Sequence, residues 1–229
     1  MLQSELKFLV SERTAVELRR WARMRFTPDP HAAVVGGDTY QTRTLYFDTD
    51  EFDLFFHRGS QARAKFRIRA YNDGPTVFLE RKLKRKNRVS KRRSTVTLSD
   101  LSRITGEPED WSSRWFSRRL LLRGLGPVCQ VSYSRIACVG ESSCGPLRVT
   151  IDQDLRTAPI YAMGFTDDAG IDVIPGDAIL ELKYASELPP VFEEVIETFT
   201  LHPHSISKYR LAVRKLGLAD DKERMLAHA

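Results

Sequence analysis

Apolar and polar positions alternate with the two-residue period of strands along most of this chain, and shift to helical spacing in a few stretches. Residues 3–10 read as a strand. Ser11 is then placed to cap a helix over 12–26, with Ala15, Leu18, Trp21 and Ala22 on one face. Pro28 and Pro30 stop that helix, and 27–38 reads as a loop closing on Gly36 and Gly37. From 40 to 98 the chain reads as the strands TRTLYFD, QARAKFRIRAY, TVFLERKLKR and VSKRRSTVTL, with a turn at Asn72-Asp73-Gly74-Pro75. EFDLFF at 51–56 fits either a short helix or a loop. A mostly helical stretch is expected from about 99 to 124, ended by Gly124 and Gly126-Pro127. Strands resume in VCQVSYSRIACV, PLRVTIDQDL and AILELKYA. Two helices follow, one from Pro189-Pro190 carrying Val191, Val195 and Phe199, the other from Ser205 or Ser207 carrying Tyr209, Ala212, Val213 and Leu216. Residues 218–229 read as a frayed tail, and 1–217, without repeat or linker, as a single domain.

The alternation is unusual in what occupies its polar side. Glu5 and Lys7 alternate with Leu6 and Phe8, and Arg67 and Arg69 with Phe66 and Ile68. Glu80, Lys82 and Lys84 alternate with Leu79 and Leu83, although Arg81 breaks the apolar side. Tyr133 and Arg135 share a side, as do Arg148, Thr150 and Asp152, and Glu181 and Lys183. An antiparallel sheet with one solvated face would explain this plainly. The alternative is a sheet closed with its charges inside and its apolar face outside beneath helices. Such a cationic interior must be wet or filled by a polyanion, because burying many like charges alone is prohibitive.

Composition narrows the class. The chain has 229 residues, 41% of them hydrophobic, enough for a buried core. No apolar run reaches the ~18 residues of a membrane span, and the amino terminus lacks a secretory pattern. Cys129, Cys138 and Cys144 form neither an even disulfide set nor a metal pair, which fits a reducing cytoplasm and three buried thiols. Lys and Arg number 36 against 30 Asp and Glu, a net charge of +6 that favours an anionic partner. Neither a glycine-rich phosphate loop nor a Ser-His-Asp order is present. His57, His202 and His204 have no ligand partners at useful spacing. Trp21, Trp111 and Trp115 read as core.

In chain order come ELK at 5–7, LYFDT at 45–49, FRIR at 66–69, FLERK at 78–82, SKRR at 90–93, SYSR at 132–135, RVTID at 148–152, LELK at 180–183 and SISKYR at 205–210. This ordered set resembles the triphosphate tunnel metalloenzymes, and within them the VTC domain that polymerises polyphosphate. The resemblance implies an α+β fold, a closed antiparallel barrel of about eight strands forming a cationic tunnel with helices packed outside. It implies that Lys7, Arg58, Arg67, Arg69, Lys82, Lys91, Arg135, Arg148 and Lys183 bind phosphates, with hydroxyl contacts from Tyr133 and Ser207. Lys208 matches a basic residue near the tunnel mouth. Glu181 matches the carboxylate that holds Mn²⁺ or Mg²⁺, with Glu5 assisting and Asp152 a secondary candidate.

Catalysis would fall to Arg67, Arg69, Lys82, Glu181 and Lys208. Arginine forks and lysine point charges suit phosphoryl transfer, which needs positioning and charge neutralisation more than covalent help. The plain alternatives are a structural salt bridge for Glu181, an exposed lysine for Lys208, and packing and capping for Tyr133 and Ser207. Two positions depart from the pattern: Gln3 replaces the first acidic residue of E-x-E-x-K, and Ser205 stands where a basic residue often precedes S-K-Y. The loss at position 3 makes a two-metal triphosphatase less fitting. The expected function is transfer of the γ-phosphoryl of ATP to polyphosphate. Triphosphate hydrolysis and non-catalytic polyphosphate binding are the alternatives, and no nucleic acid is expected. Eukaryotic members carry a sensor domain and membrane helices that this chain lacks. It is therefore expected to act alone in the cytoplasm or with an unidentified membrane partner.

Overall fold

The computed structural model describes residues 4–33, 37–59, 64–85, 88–106 and 113–227. Gln3, Gly36 and Trp111 lie outside them. The elements run β1 (Ser4–Ser11), α1 (Glu12–Arg25), β2 (Thr27–Pro28), α2 (Pro30–Ala33), β3 (Thr39–Asp48), β4 (Ala64–Tyr71), β5 (Thr76–Arg85) and β6 (Arg88–Thr97). After a 3-10 helix (Leu98–Ile104) come α3 (Arg114–Leu121), β7 (Gly126–Ser142), β8 (Gly145–Pro159), β9 (Ile171–Asp172) and β10 (Asp177–Tyr184). The helices α4 (Pro190–Thr198), α5 (Lys208–Lys215) and α6 (Asp220–Ala227) follow.

The order β1-β10-β8-β7-β3-β4-β5-β6 forms one sheet, with the dipeptide strand β2 on β7 and β9 on β8, ten strands in all. The fold is α+β with an antiparallel sheet. Closure by hydrogen bonds requires the two edge strands to share a ladder. Here β1 pairs with β10, β6 pairs with β5, and among the described residues no β1–β6 pairing joins them. The expected closed barrel is therefore not a hydrogen-bonded one.

The chain packs as two compact units, Met1–Gln41 with Tyr133–Leu155 and Ile174–Ile206, and Thr42–Ser132 with Arg156–Val173 and Ser207–Ala229. In the first, Phe8 and Val10 of β1, Val149 and Ile151 of β8, and Leu180 and Leu182 of β10 meet Leu18 and Trp21 of α1 and Phe192 and Val195 of α4. In the second, Leu45, Phe47, Phe66, Ile68, Val77 and Leu79 form a sheet face covered by Leu101 and Ile104 of the 3-10 helix and Phe116 and Leu120 of α3. Each such side chain, fully buried, contributes about 1.5–3 kcal/mol. The apolar side of the alternation thus lies under helices.

Several local expectations change. The stretch 27–38 holds β2 and α2 rather than loop alone, because Thr27 and Pro28 find Val139 and Cys138 as edge partners. The helical stretch after 98 divides into a 3-10 helix and α3, the first ending just before the helix breaker Gly106. EFDLFF becomes a series of turns whose amides Leu54 and Phe55 donate to Asp48. The frayed tail is instead α6: Asp220, Asp221 and Glu223 suit the positive end of a helix, and Lys222 reaches Glu51 at 2.6 Å. Cys129 and Cys138 are buried and free, but Cys144 is exposed in the turn between β7 and β8, where no core is near. Burial pushes their thiols up, to about 12 for Cys129 and about 11 for Cys138.

Buried Asp38 ties α1 to the start of β3. Arg19 donates to it at 2.7 Å, Arg23 at 2.6 Å and the Thr39 hydroxyl at 3.0 Å. Burial works to raise this carboxyl, but the bonds from Arg23, Arg19 and Thr39 outweigh it and hold it far below its ordinary 3.8. Asp38→Asn is expected to lower unfolding free energy by about 1–3 kcal/mol at pH 7. Because the folded value is depressed, the Asp38 contribution is present above pH 3.8 and is lost as pH falls below it. Urea titrations at several pH values should show wild type and variant converging on the acid side; a constant gap would remove the ionic account.

Candidate functional site

In the second unit, the strand register stacks the charged side chains of β4, β5 and β6 into rows. Lys65 pairs with Lys82, which pairs with Lys91. The next row is Arg67, Glu80 and Arg93, and the next Arg69, Phe78 and Thr95. Like charges directly opposite on neighbouring strands are destabilising, so a row of three lysines costs stability unless an anion meets it. Among described side chains this face has the cations Lys65, Arg67, Arg69, Lys82, Lys91 and Arg93 against the single carboxylate Glu80.

Glu80 is buried and gathers its neighbours. Arg67 Nε donates at 2.7 Å, Arg93 Nε at 2.7 Å, and Lys91 Nζ lies at 3.0 Å. Burial works to raise the Glu80 carboxyl, yet Arg67, Arg69, Lys91 and Arg93 hold it well below the usual carboxylate range. Burial lowers the Lys91 ammonium against the opposing pull of Glu80. Buried Arg69 donates to Thr44 Oγ1 at 3.1 Å, and Arg93 Nη2 lies 3.5 Å from the Tyr71 hydroxyl. For that phenol, burial works upward, but Arg69 and Arg93 bring it down to about 8.

The same unit places α5. Ser207 caps it, accepting from Arg210 N at 3.5 Å and from Lys65 Nζ at 2.9 Å. Lys208, the first helical residue, is buried. Tyr209 donates to Asp48 at 2.5 Å, and both groups have raised pKa values, burial being the largest cause. Asp48 therefore organises the turns after β3 and anchors α5. Arg58 lies in those turns, bonded to the Glu51 carbonyl and 3.2 Å from Asp53, with its guanidinium over Phe56. Lys82 is exposed within its row.

The first unit carries a different balance. Lys7 faces Glu181 across β1 and β10, and Glu5 faces Lys183. Lys7 Nζ lies 2.9 Å from Glu5 and 3.2 Å from Glu181, and Lys183 lies 3.4 Å from Glu181. Burial lowers the Lys183 ammonium, opposed by Glu181 and Glu5. On β7 and β8, Arg135 grips Asp152 bidentately at 2.6 and 2.7 Å, with its guanidinium over the Tyr133 ring. Arg148 reaches Asp29 at 2.9 Å and the Tyr40 hydroxyl at 3.3 Å. Among the described residues, the cations Lys7, Lys183, Arg135 and Arg148 thus meet the carboxylates Glu5, Glu181, Asp152 and Asp29 here.

Neither charged face is the solvated one of the plain alternative. Arg69, Glu80, Arg135, Thr150, Asp152 and Glu181 are all buried. The rows also bring in Lys65, Glu80 and Arg93, which the motifs left without a role. The signal was present: Lys65 stands two residues before Arg67, and Arg93 two after Lys91, so strand period alone puts them on the same face. Asp152, a secondary metal candidate, has both oxygens engaged by Arg135.

The VTC domain family model matches residues 2–217. No curated protein matches the chain. Among solved structures, a Bacillus halodurans protein designated an adenylate cyclase superposes with a TM-score of 0.56 at 19% identity, covering 90% of this chain and 96% of that one. A Hippeastrum protein designated an adenylyl cyclase, with a dominant triphosphatase activity, superposes with a TM-score of 0.54 at 18% identity, covering 95% and 96%. At these identities the likeness is one of fold.

Proposed function

Since the chain belongs to the VTC domain family, we propose that it transfers the γ-phosphoryl group of ATP to the end of a growing polyphosphate chain. The observation that carries this reading is the row of Lys65, Lys82 and Lys91 beside Arg67, Glu80 and Arg93. A surplus of cations aligned on adjacent strands matches a chain of phosphates, which presents negative charge at regular intervals. The arginines would take non-bridging oxygens through their forks and the lysines as point charges. Lys7, Arg58, Arg135, Arg148 and Lys183 extend the phosphate-binding set, with Tyr133, Ser207 and Lys208 at its hydroxyl and helix-end contacts.

Glu5 and Glu181 fit a divalent cation. Their hard carboxylate oxygens suit Mg²⁺ or Mn²⁺, which characteristically takes one or two carboxylates and completes its shell with phosphates and water. Such an ion would neutralise charge on the nucleotide phosphates. Lys7, between the two carboxylates at 2.9 and 3.2 Å, would have to turn aside onto phosphate. No helix among the described residues is long and apolar enough to cross a membrane.

Incubation with ATP and Mn²⁺ is expected to yield polyphosphate, resolved by chain length on a gel. Orthophosphate released from tripolyphosphate without chain growth would replace the polymerase with a triphosphatase. Neither product, with polyphosphate still bound, would leave a binding module.

A further inference from the structure

The geometry points to Glu80 as a positioning residue that assembles Arg67, Lys91 and Arg93 into one phosphate gripper, with Arg93 a substrate-contacting member of it. The inference rests on the proposed binding of phosphate by this face, and names parts of it that the motifs do not.

Depth is the first argument. The Glu80 side chain is 2% exposed, while Arg67, Arg93 and Lys91 are 20%, 32% and 49% exposed. The carboxylate lies at the bottom and the cations rise around it. Charge is the second. Three cations meet one carboxylate, leaving a surplus of two positive charges, whereas a purely structural pair would be neutral. The donors in use are the third. Arg67 presents its Nε edge to Glu80 Oε2, and Arg93 presents Nε and Nη2 to Oε1. Each guanidinium is thereby fixed in orientation by one side of its fork, and its remaining N–H groups can meet a second anion. Arg93 is further held by the Tyr71 hydroxyl at 3.5 Å and by the Phe78 ring at 4.5 Å. Holding donors in place beforehand removes the ordering cost that flexible cations would incur on binding.

This makes a prediction whose sign opposes simple electrostatics. Glu80→Gln removes a negative charge from an anion site, so on charge alone it should tighten binding. If Glu80 positions the array, affinity must fall instead, because an amide offers a single oxygen and no charge to three cations. Calorimetric titration with tripolyphosphate at fixed ionic strength, with thermal unfolding followed in parallel, decides between them. Glu80→Gln and Arg93→Gln are each expected to weaken binding by about tenfold or more. Arg92→Gln, one residue away on the opposite side of β6 and stacked over Trp115, should leave affinity unchanged. The double variant Glu80→Gln/Arg93→Gln should bind little worse than Glu80→Gln alone, and lose less than the sum of the two single losses, since part of the Glu80 effect runs through Arg93.

Equal or tighter binding by folded Glu80→Gln overturns the positioning role, as do additive losses in the double variant. An Arg93→Gln variant indistinguishable from Arg92→Gln overturns the contact. Should Glu80→Gln fail to fold, Glu80→Asp takes its place: it keeps the charge but shortens the reach, and wild-type affinity there overturns the role equally. Arg69→Gln separates this inference from the reading beneath it. Wild-type protein that ignores tripolyphosphate, or an Arg69→Gln variant that binds it normally, sinks both. Wild-type binding that Arg69→Gln weakens, with Glu80→Gln and Arg93→Gln normal, sinks this inference alone.

Discussion

Glu181→Gln is expected to reduce turnover of ATP in the presence of Mn²⁺ by about a hundredfold or more, while the chain still folds cooperatively. The side chain is buried, at 3.2 Å from Lys7 and 3.4 Å from Lys183, and the amide keeps its shape. Lys7 retains Glu5 at 2.9 Å, so the substitution does not strand every cation of the cluster. What disappears is the more deeply placed of the two carboxylates proposed to hold a divalent cation. Two readouts follow from that role: maximal turnover falls, and more Mn²⁺ is needed for half-maximal activity. Loss of the charge also removes the stronger of the two carboxylates, Glu181 and Glu5, that oppose the burial-driven lowering of the Lys183 ammonium, so that ammonium should titrate lower in the variant. Unchanged turnover across a Mn²⁺ titration would strip Glu181 of the metal role.

Asp152→Asn should destabilise the fold by about 3–5 kcal/mol, the cost of leaving a buried charge without its partner. Asp152 is fully buried, Arg135 nearly so, and the two share bonds of 2.6 and 2.7 Å. The Arg135 guanidinium is raised well above its ordinary pKa: burial works against the charge, but Asp152, with Tyr133 and Glu181, outweighs it. An asparagine accepts through one oxygen and carries no charge, so Arg135 would stay ionised with half its contacts. Urea denaturation at pH 7 measures the loss. Arg135→Met combined with Asp152→Leu should cost less than the sum of the single changes, because no ion is then left alone. A loss under about 1 kcal/mol for Asp152→Asn would show that the pair is not buried in solution. A large one would make Asp152 a structural residue and leave Glu181 and Glu5 as the metal candidates.

Period-two alternation was enough to place Lys7, Arg67, Arg69, Lys82, Lys91, Arg135, Arg148, Glu181 and Lys183 on polar strand faces, because side-chain direction in a strand is a local property. It was enough also to put Phe8, Phe66, Ile68, Leu79 and Leu182 on the opposite faces, under helices. Local chemistry marked Ser11 as a helix cap and offered Ser205 or Ser207 for the last long helix; Ser11 and Ser207 both accept from amides three residues on. The frayed tail failed for a non-local reason: α6 is supported by the buried Ala219 and by the contact from Lys222 to Glu51, far away in the chain. Arg58, to which the family resemblance alone gives a phosphate role, is engaged within its own turns by Glu51 and Asp53.

Residue order in this chain is thus sufficient for which face each side chain occupies, and for the family to which the motifs belong, since both rest on spacing between near neighbours. It is silent on which charge meets which. That Lys65, Lys82 and Lys91 form one row, that Glu80 sits among Arg67, Lys91 and Arg93, and that Arg135 closes on Asp152 all depend on strand register. Register is set by long-range pairing between segments whose alternation is equally satisfied by a shift of two residues, and packing against the apolar face selects among those shifts.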